Sequence, residues 1–448
     1  MYAALLVDPR AGRGEVSGGV VVELRGGIAP IQPGRPEVPS MLMLVVPNVD
    51  FRYRHRRAGV LGFGYSPRMF YRVPNQLGIQ RPLFLHQLSL TYSVPLDRRW
   101  ELYARTNASI GDIDYTAASL VFQGPQANLA NTPVLSFAIG DAELRFVGRI
   151  RPRHTITFAT TAGYRIALDP QDQPIQGPGG MTNAPLLSYP NQRAGYLGLG
   201  YSYAASRRDQ ISITSYNGVI EFDPGGIFVS NDARVGWNRQ IRRRVLSEID
   251  AGALSAQVVS VDPGVPVVPR SKVQPVGNAR ISGRLRSRAR YTLDGSIGAT
   301  YTGFFDAVRG QLSPRAGGSV TLTAAFPPRW SVGLISSLFT PATARPLPPI
   351  VLNMATGESV PQTETIILNQ IPIRYRVNDE MSVEFGAIAN FRMPHLAAGT
   401  TAGTQVEAWG YVAFRIAGGT ARGGREVATR GVGTGQGAAT GAGGVGRR

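Results

Sequence analysis

The chain has 448 residues with 54 glycines, 33 prolines, 43% hydrophobic residues and a formal net charge of +18. It contains no cysteine, which excludes disulfides and thiolate metal sites, and no apolar run reaches the roughly 18 residues of a spanning helix. Lys272 is the only lysine, so the positive charge is almost entirely guanidinium. This excess indicates anionic partners, although a GC-rich genome would also enrich arginine codons.

We expect residues 1–14 to precede the folded unit. The opening stretch MYAALLVDPR has no basic region, and its apolar run is too short for an export signal. A protein destined for the outer membrane needs such a signal, so we expect that the start is truncated or that the precursor has already been processed.

Alternation with a period of two residues dominates the rest of the chain. Apolar or small side chains alternate with polar ones from His154 to Leu168, from Tyr291 to Thr302 and from Met381 to Met393, where Ile388 is the exception. This period is typical of two-faced strands. The runs exceed the roughly five or six residues of strands in soluble sheets and match the roughly 9 to 11 residues of a tilted membrane strand.

Short turns punctuate these strands. They lie at His55 to Ala58, Pro95 to Arg99, Arg151 to Arg153, Ser206 to Asp209, Arg242 to Arg244, Ser287 to Ala289, Pro327 to Arg329 and Asn378 to Glu380. Eight hairpins supply about sixteen strands, and segments near Gly18 to Leu24 and from Gln405 to Ile416 raise the total to about eighteen. The links between hairpins are longer and rich in Pro, Gly, Asn and Gln, an asymmetry that outer-membrane barrels share.

The sequence therefore predicts an all-β fold over residues 15–416. It is an antiparallel transmembrane β-barrel of roughly 16 to 18 strands, with short periplasmic turns and long extracellular loops, in the outer membrane of a Gram-negative bacterium. Residues 417–448 are Gly-rich with few large apolar groups, and we expect them to form a disordered tail.

Aromatic residues on the apolar parity follow or precede the short turns closely. The residues assigned to the membrane interface are Tyr53, Tyr92, Trp100, Trp237, Tyr291, Trp330 and Tyr375. Membrane barrels gather such residues at the headgroup level. The alternative is that aromatic residues simply favour strands.

Arginines recur on the opposite parity, which must face the lumen. The predicted pore-lining residues are Arg52, Arg54, Arg145, Arg165, Arg234, Arg280, Arg284, Arg286, Arg374, Arg376 and Arg392. A channel lined in this way attracts anions and repels cations. The alternative is structural: these arginines solvate the periplasmic rim or pair with luminal carboxylates.

Nothing in the sequence indicates catalysis. The four histidines have no metal-ligand spacing, and no local nucleophile and base are paired. We therefore expect no enzyme activity, no catalytic residue, no cofactor and no bound metal.

Short basic turns, inward arginines and outward aromatics over nearly the whole chain resemble bacterial outer-membrane porin-like β-barrels. About eighteen strands with an Arg-rich lumen look like the alginate-export barrel and the barrels of myxobacterial polysaccharide export. The resemblance implies passage of an anionic polysaccharide or small anions, with a periplasmic export partner docking at the short-turn rim.

The partners expected are thus outer-membrane lipid, an anionic solute or polysaccharide and that periplasmic partner, and not nucleic acid. Two other hypotheses stay open at this point. One is a structural or surface-binding barrel with a plugged lumen, and the other is a soluble all-β protein with a basic nucleic-acid surface.

Overall fold

A computed structural model describes residues 12–30, 37–55, 59–74, 82–114, 134–168, 191–223, 226–261, 272–288, 290–306, 311–341, 350–353, 358–360, 364–394 and 404–419. Within these ranges the regular elements are all β-strands, and no helix is long and apolar enough to cross a membrane.

The strands in chain order are β1 (Gly12–Pro30), β2 (Glu37–His55), β3 (Gly59–Tyr65), β4 (Arg68–Val73), β5 (Leu83–Pro95), β6 (Trp100–Asp114), β7 (Val134–Arg151), β8 (His154–Ala167), β9 (Asn191–Ala204), β10 (Asp209–Asp223), β11 (Gly226–Arg242), β12 (Val245–Val261), β13 (Lys272–Arg288), β14 (Tyr291–Asp306), β15 (Gln311–Phe326), β16 (Trp330–Pro341), β17 (Ile350–Asn353), β18 (Glu358–Val360), β19 (Glu364–Arg376), β20 (Met381–Pro394) and β21 (Gln405–Gly419).

The main sheet closes on itself. Each strand pairs antiparallel with its neighbours, and β1 pairs both with β2 and with β21, from Ser17 opposite Gly419 to Ile28 opposite Ala408. Strands β3 and β4 both pair with β2 and β5, so they form one span that is interrupted at Ser66 and Pro67. Counting that span once, the 19 strands of the sheet become an 18-stranded barrel, which confirms the predicted fold and strand number.

The eight predicted short turns connect β2–β3, β5–β6, β7–β8, β9–β10, β11–β12, β13–β14, β15–β16 and β19–β20. Because successive strands run in opposite directions, all eight lie at the same rim. Residues 56–58 and 289 within these turns are outside the described residues. At the opposite rim, the link between β10 and β11 consists of residues 224–225 alone, so the links on that side are not uniformly long.

The outer surface of the barrel is apolar. Ile213, Val235 and Ile297 are 55%, 56% and 56% exposed, and burying such side chains requires hydrocarbon around the barrel. Ile388, which broke the alternation of its strand, points the other way and is 5% exposed against Trp409 and Tyr411 inside the wall.

The ends of the barrel differ slightly from the predicted domain bounds. Strands begin at Gly12 and end at Gly419, where the sequence suggested residues 15 and 416. The weakest predicted strand, near Gly18 to Leu24, is the middle of β1. The tail predicted to be disordered lies, from residue 420 onward, outside the described residues.

Replacing Ile297 by arginine tests the orientation of the wall. Ile297 lies in the middle of β14 on the outer face, whereas its neighbour Ser296 faces inward opposite Thr321. We expect Ile297→Arg to lower the free energy of unfolding by about 2–4 kcal/mol, because a cation near the bilayer midplane loses its hydration. Denaturant unfolding in lipid vesicles measures this, with Ser296→Arg as the matched control. Equal costs for the two variants would contradict the lipid-facing assignment.

Candidate functional site: the luminal wall

Ten of the eleven predicted pore-lining arginines lie on the inner face of the wall. They are Arg52 and Arg54 on β2, Arg145 on β7, Arg165 on β8, Arg234 on β11, Arg280 and Arg284 on β13, Arg374 and Arg376 on β19 and Arg392 on β20. They alternate with exposed outward side chains such as Leu144, Val235 and Ile281. Strand periodicity and the closure of the sheet together therefore bring these cations to one enclosed surface.

Arg286 is a correction to the prediction. The register of β13 and β14 shifts at Leu285, so Arg284 lies opposite Asp294 but Arg286 lies opposite the outward Leu293. The extra residue is a β-bulge, which re-aims the side chain that follows it. The guanidinium of Arg286 is 5.7 Å from the ring centroid of Tyr291, on the outer face. Counting parity from the sequence assumes that no residue is inserted, and for this reason it placed Arg286 in the lumen.

Several inward arginines are paired with carboxylates. Arg234 binds Asp232 at 2.6 Å and Asp250 at 3.2 Å. Arg145 pairs with Glu143, which also lies 3.3 Å from Arg105. These pairs, within one strand or between neighbouring strands, neutralise much of the charge on the inner face and connect adjacent strands. Such pairing is the structural alternative to anion selectivity that the sequence left open.

Another group of pairs centres on Glu384, whose side chain is 3% exposed. Arg374 and Arg415 lie 3.0 and 3.2 Å from its Oε2 atom, and the Tyr411 hydroxyl donates a hydrogen bond of 3.0 Å to Oε1. Gln370 donates a 2.9 Å bond to that hydroxyl. One carboxylate thus connects β19, β20 and β21.

Several inward arginines have no ion pair within the part of the chain that the structure describes, Arg149 and Arg376 among them. Arg52, Arg54 and Arg280 are exposed and have no carboxylate within salt-bridge distance among those residues. We call them the unpaired luminal arginines. Arg52 and Arg54 lie beside the short-turn rim at the end of β2, and Arg280 lies in the middle of β13.

Sequence analysis missed a second inward group near the opposite rim. Arg25, Arg68 and Arg72 are 6%, 7% and 5% exposed. Arg25 pairs with Glu23 at 2.5 Å, and Arg72 lies 5.9 Å from the ring centroid of Trp409. The signal was present as two arginines four residues apart in RMFYRV, which places them on one face of a strand, but β4 is too short to show its parity without its partner strands.

The inner wall is also less uniformly polar than the alternation predicts. Phe70, Leu85, Phe137 and Phe228 face inward near the rim opposite the short turns and are almost fully buried. The turn-side half of the wall carries Glu, Asp, Arg, Ser and Thr instead. Toward the far rim the inner surface thus contains buried aromatic and aliphatic side chains beside buried arginines, whereas Arg52, Arg54 and Arg280 are exposed.

The seven aromatic residues assigned to the interface lie on the outer parity within a few residues of the short turns. Trp100, Trp237 and Trp330 are 36%, 39% and 49% exposed. Trp330 packs against Tyr375 with ring centroids 4.7 Å apart. Tyr53, Tyr92 and Tyr291 belong to the same face. Their assignment to the membrane interface stays a prediction.

Among the described residues, no three His, Asp or Glu side chains are grouped so that they could hold a metal ion. His86 is hydrogen-bonded to the Tyr65 hydroxyl at 2.8 Å, and His154 to Tyr201 at 2.7 Å. Both pairs lie on the outer face, so neither lines the lumen.

The search for similar proteins found no matching family model and no matching curated protein. Similar solved structures are bacterial outer-membrane proteins. The outer membrane protein opdK from Pseudomonas aeruginosa aligns with a TM-score of 0.42 and 9% identity, over 91% of this chain and 99% of that chain. OccAB3 from Acinetobacter baumannii gives 0.42 and 10%, over 90% and 99%. The siderophore receptor PirA from Acinetobacter baumannii gives 0.43 and 7%, over 91% and 80%.

A closed antiparallel barrel with tight turns at one rim and an apolar outer belt is the spanning structure of bacterial outer membranes, because it leaves no backbone group unpaired in hydrocarbon. The chain is accordingly a transmembrane β-barrel of a Gram-negative outer membrane.

Neutralising Glu384 tests the role of its pairs. Glu384→Gln leaves Arg374 and Arg415 beside an amide, and we expect the free energy of unfolding to fall by about 3 kcal/mol, since breaking a buried ion pair leaves charge uncompensated. The control is Asp294→Asn, which removes the exposed partner of Arg284 and should cost no more than about 1 kcal/mol. The measurement is the denaturant midpoint of unfolding of each variant in lipid vesicles. Similar shifts of the midpoint in the two variants would refute a special role for Glu384.

Proposed function

We propose that the barrel is a channel that conducts anionic solutes through its lumen. The observation that carries this proposal is that Arg52, Arg54 and Arg280 have no carboxylate within salt-bridge distance among the described residues, although Glu15 and Glu248 lie opposite Arg52 and Arg280 in the strand ladder. Other inward arginines are paired with Glu143, Asp232, Asp250, Asp294 or Glu384. The described inner face carries more arginines than carboxylates, which favours a positive field inside the wall.

Geometry makes this field effective. A narrow aqueous space with low-dielectric walls concentrates the potential and raises the local concentration of anions. The paired arginines contribute little to it, because each carboxylate competes with a solute for the same guanidinium. Weak binding at a few unpaired cations is what conduction requires, since a solute that binds too tightly does not leave.

Reversal potentials across a salt gradient test the proposal. The variant Arg52→Gln, Arg54→Gln, Arg280→Gln removes three unpaired luminal charges, and we expect the anion-to-cation permeability ratio to fall by at least about twofold. The matched control replaces Arg151, Arg242 and Arg286, which lie on the outer face, by glutamine and should leave the ratio unchanged. Cation preference of the unmodified protein would overturn the proposal.

An anionic polysaccharide is the second candidate cargo. It is favoured by exposed inward arginine at more than one depth, from Arg52 and Arg54 at the turn rim to Arg280 in the middle of β13. An extended polyanion can pass between such sites because several weak contacts replace one strong one.

Uronate oligomers separate the two cargo classes. If a polyanion threads the lumen, oligomers of increasing length block the anion current for increasing times, and the triple luminal variant shortens those blocks. If only small anions pass, the current responds to monomeric carboxylates and the oligomers do not enter. The second result would exclude polymer transport. Conduction of small anions is tested separately, by the reversal potential.

A further inference from the structure

Three β-bulges recur at the short-turn rim. The register shifts between Arg149 and Arg151 in β7, between Gln240 and Arg242 in β11, and between Arg284 and Arg286 in β13. Each shift lies at the end of a strand, just before a short turn. The same local device therefore appears on three of the eight hairpins.

Each bulge inserts one apolar residue that faces outward. Ile150, Ile241 and Leu285 are 46%, 44% and 42% exposed. They lie on the same parity as outward residues further along their strands, such as Phe146 and Trp237. An exposed aliphatic side chain at this position is suited to the edge of the hydrocarbon layer.

The residue after each bulge is an arginine that the insertion turns outward. Arg151 lies opposite His154, Arg242 opposite Val245 and Arg286 opposite Leu293, and these partners belong to the outer face. Without the extra residue, all three arginines would face the lumen. We call Arg151, Arg242 and Arg286 the bulge arginines.

These cations are available to a ligand. All three are exposed, and none has a carboxylate within salt-bridge distance in the described part of the chain. Arg286 lies over the ring of Tyr291. In the turn between β15 and β16, Arg329 lies 5.9 Å from the ring centroid of Tyr375 and donates a 2.8 Å hydrogen bond to its hydroxyl. An aromatic ring beneath a guanidinium fixes the orientation of the guanidinium plane and leaves N–H donors free for a ligand.

The surrounding turns add to the positive charge. The described residues between the strands at this rim include nine arginines, Arg98, Arg99, Arg153, Arg207, Arg208, Arg243, Arg244, Arg290 and Arg329, against the three acids Asp97, Asp379 and Glu380, and Asp209 begins β10 beside them. Solvation of a rim explains charged turns, but it does not explain why three strands insert a residue to move an arginine from the aqueous lumen to the membrane side.

We propose that the bulge arginines bind the phosphates of anionic glycerophospholipids in the periplasmic leaflet. The bulged Ile or Leu contacts the upper acyl chain, and the following guanidinium donates hydrogen bonds to the headgroup phosphate directly above it. Guanidinium matches phosphate oxygens in a bidentate arrangement. Basic side chains at the level of the headgroups also favour anionic lipids over zwitterionic ones. The device thus fixes the depth and rotation of the barrel at one rim.

Electron spin resonance of spin-labelled lipids tests this with the full chain in phosphatidylcholine vesicles. The relative association of labelled phosphatidylglycerol over labelled phosphatidylcholine should exceed unity by about threefold for the unmodified protein. Arg151→Gln, Arg242→Gln, Arg286→Gln should bring the ratio close to one. Heat-modifiable gel mobility verifies that each variant is folded.

The matched control removes the same charge from the lumen, as Arg52→Gln, Arg54→Gln, Arg280→Gln, and should keep the lipid preference of the unmodified protein. Equal loss in both variants would show a net-charge effect and overturn the proposal, as would an unchanged ratio in the bulge variant.

Deleting Leu285 gives a second test, because it restores the register and should remove the share of the preference due to Arg286. Inorganic phosphate at matched ionic strength should lower the ratio only slightly; full competition would identify a free-phosphate site instead.

Discussion

Satisfaction of backbone hydrogen bonds in hydrocarbon is the constraint on which this structure depends. An open sheet of this size would expose the N–H and C=O groups of two edge strands to lipid, at a cost of several kcal/mol for each unpaired group. The pairing of β1 with β21 removes both edges. Once the sheet is closed, alternation along every strand gives one face to lipid and the other to the lumen, so the distribution of charge follows from strand parity.

The arginines of the inner face then fall into two groups, according to whether a nearby carboxylate pairs with them. Where Asp232 and Asp250 flank Arg234, or where Glu384 lies among Arg374 and Arg415, the guanidinium stabilises the wall and is a poor ligand for a passing anion. Where no carboxylate lies within salt-bridge distance among the described residues, as at Arg52 and Arg54, we propose that the same side chain attracts anions. Luminal arginine content alone is therefore a poor measure of selectivity, and the pairing pattern is the relevant quantity.

Much of the architecture follows from the sequence because its signals are local. The period of two identifies strands, the eight short turns give the order of the hairpins, and even the exception at Ile388 reflects a real inward side chain. Pairing could not be predicted, because the register that brings Arg284 opposite Asp294 is set by contacts between strands. The cluster of Arg25, Arg68 and Arg72 was missed for the same reason: Arg25 lies on β1 and the other two on β4, and only the pairing of both strands with β2 brings them together.

The error at Arg286 has a more general lesson. Parity is reliable over a stretch of chain only while the ladder is unbroken, and one inserted residue moves every later side chain of that strand to the other face. In β7, β11 and β13 the insertion comes so late that only the last residues before the turn are affected. The body of each strand keeps its apolar outer face and polar inner face, while the rim gains outward cations. Because Ile150, Ile241 and Leu285 are all apolar, the inserted residues carry no penalty in hydrocarbon, and the position of each arginine relative to the membrane is set by the backbone rather than by a flexible side chain.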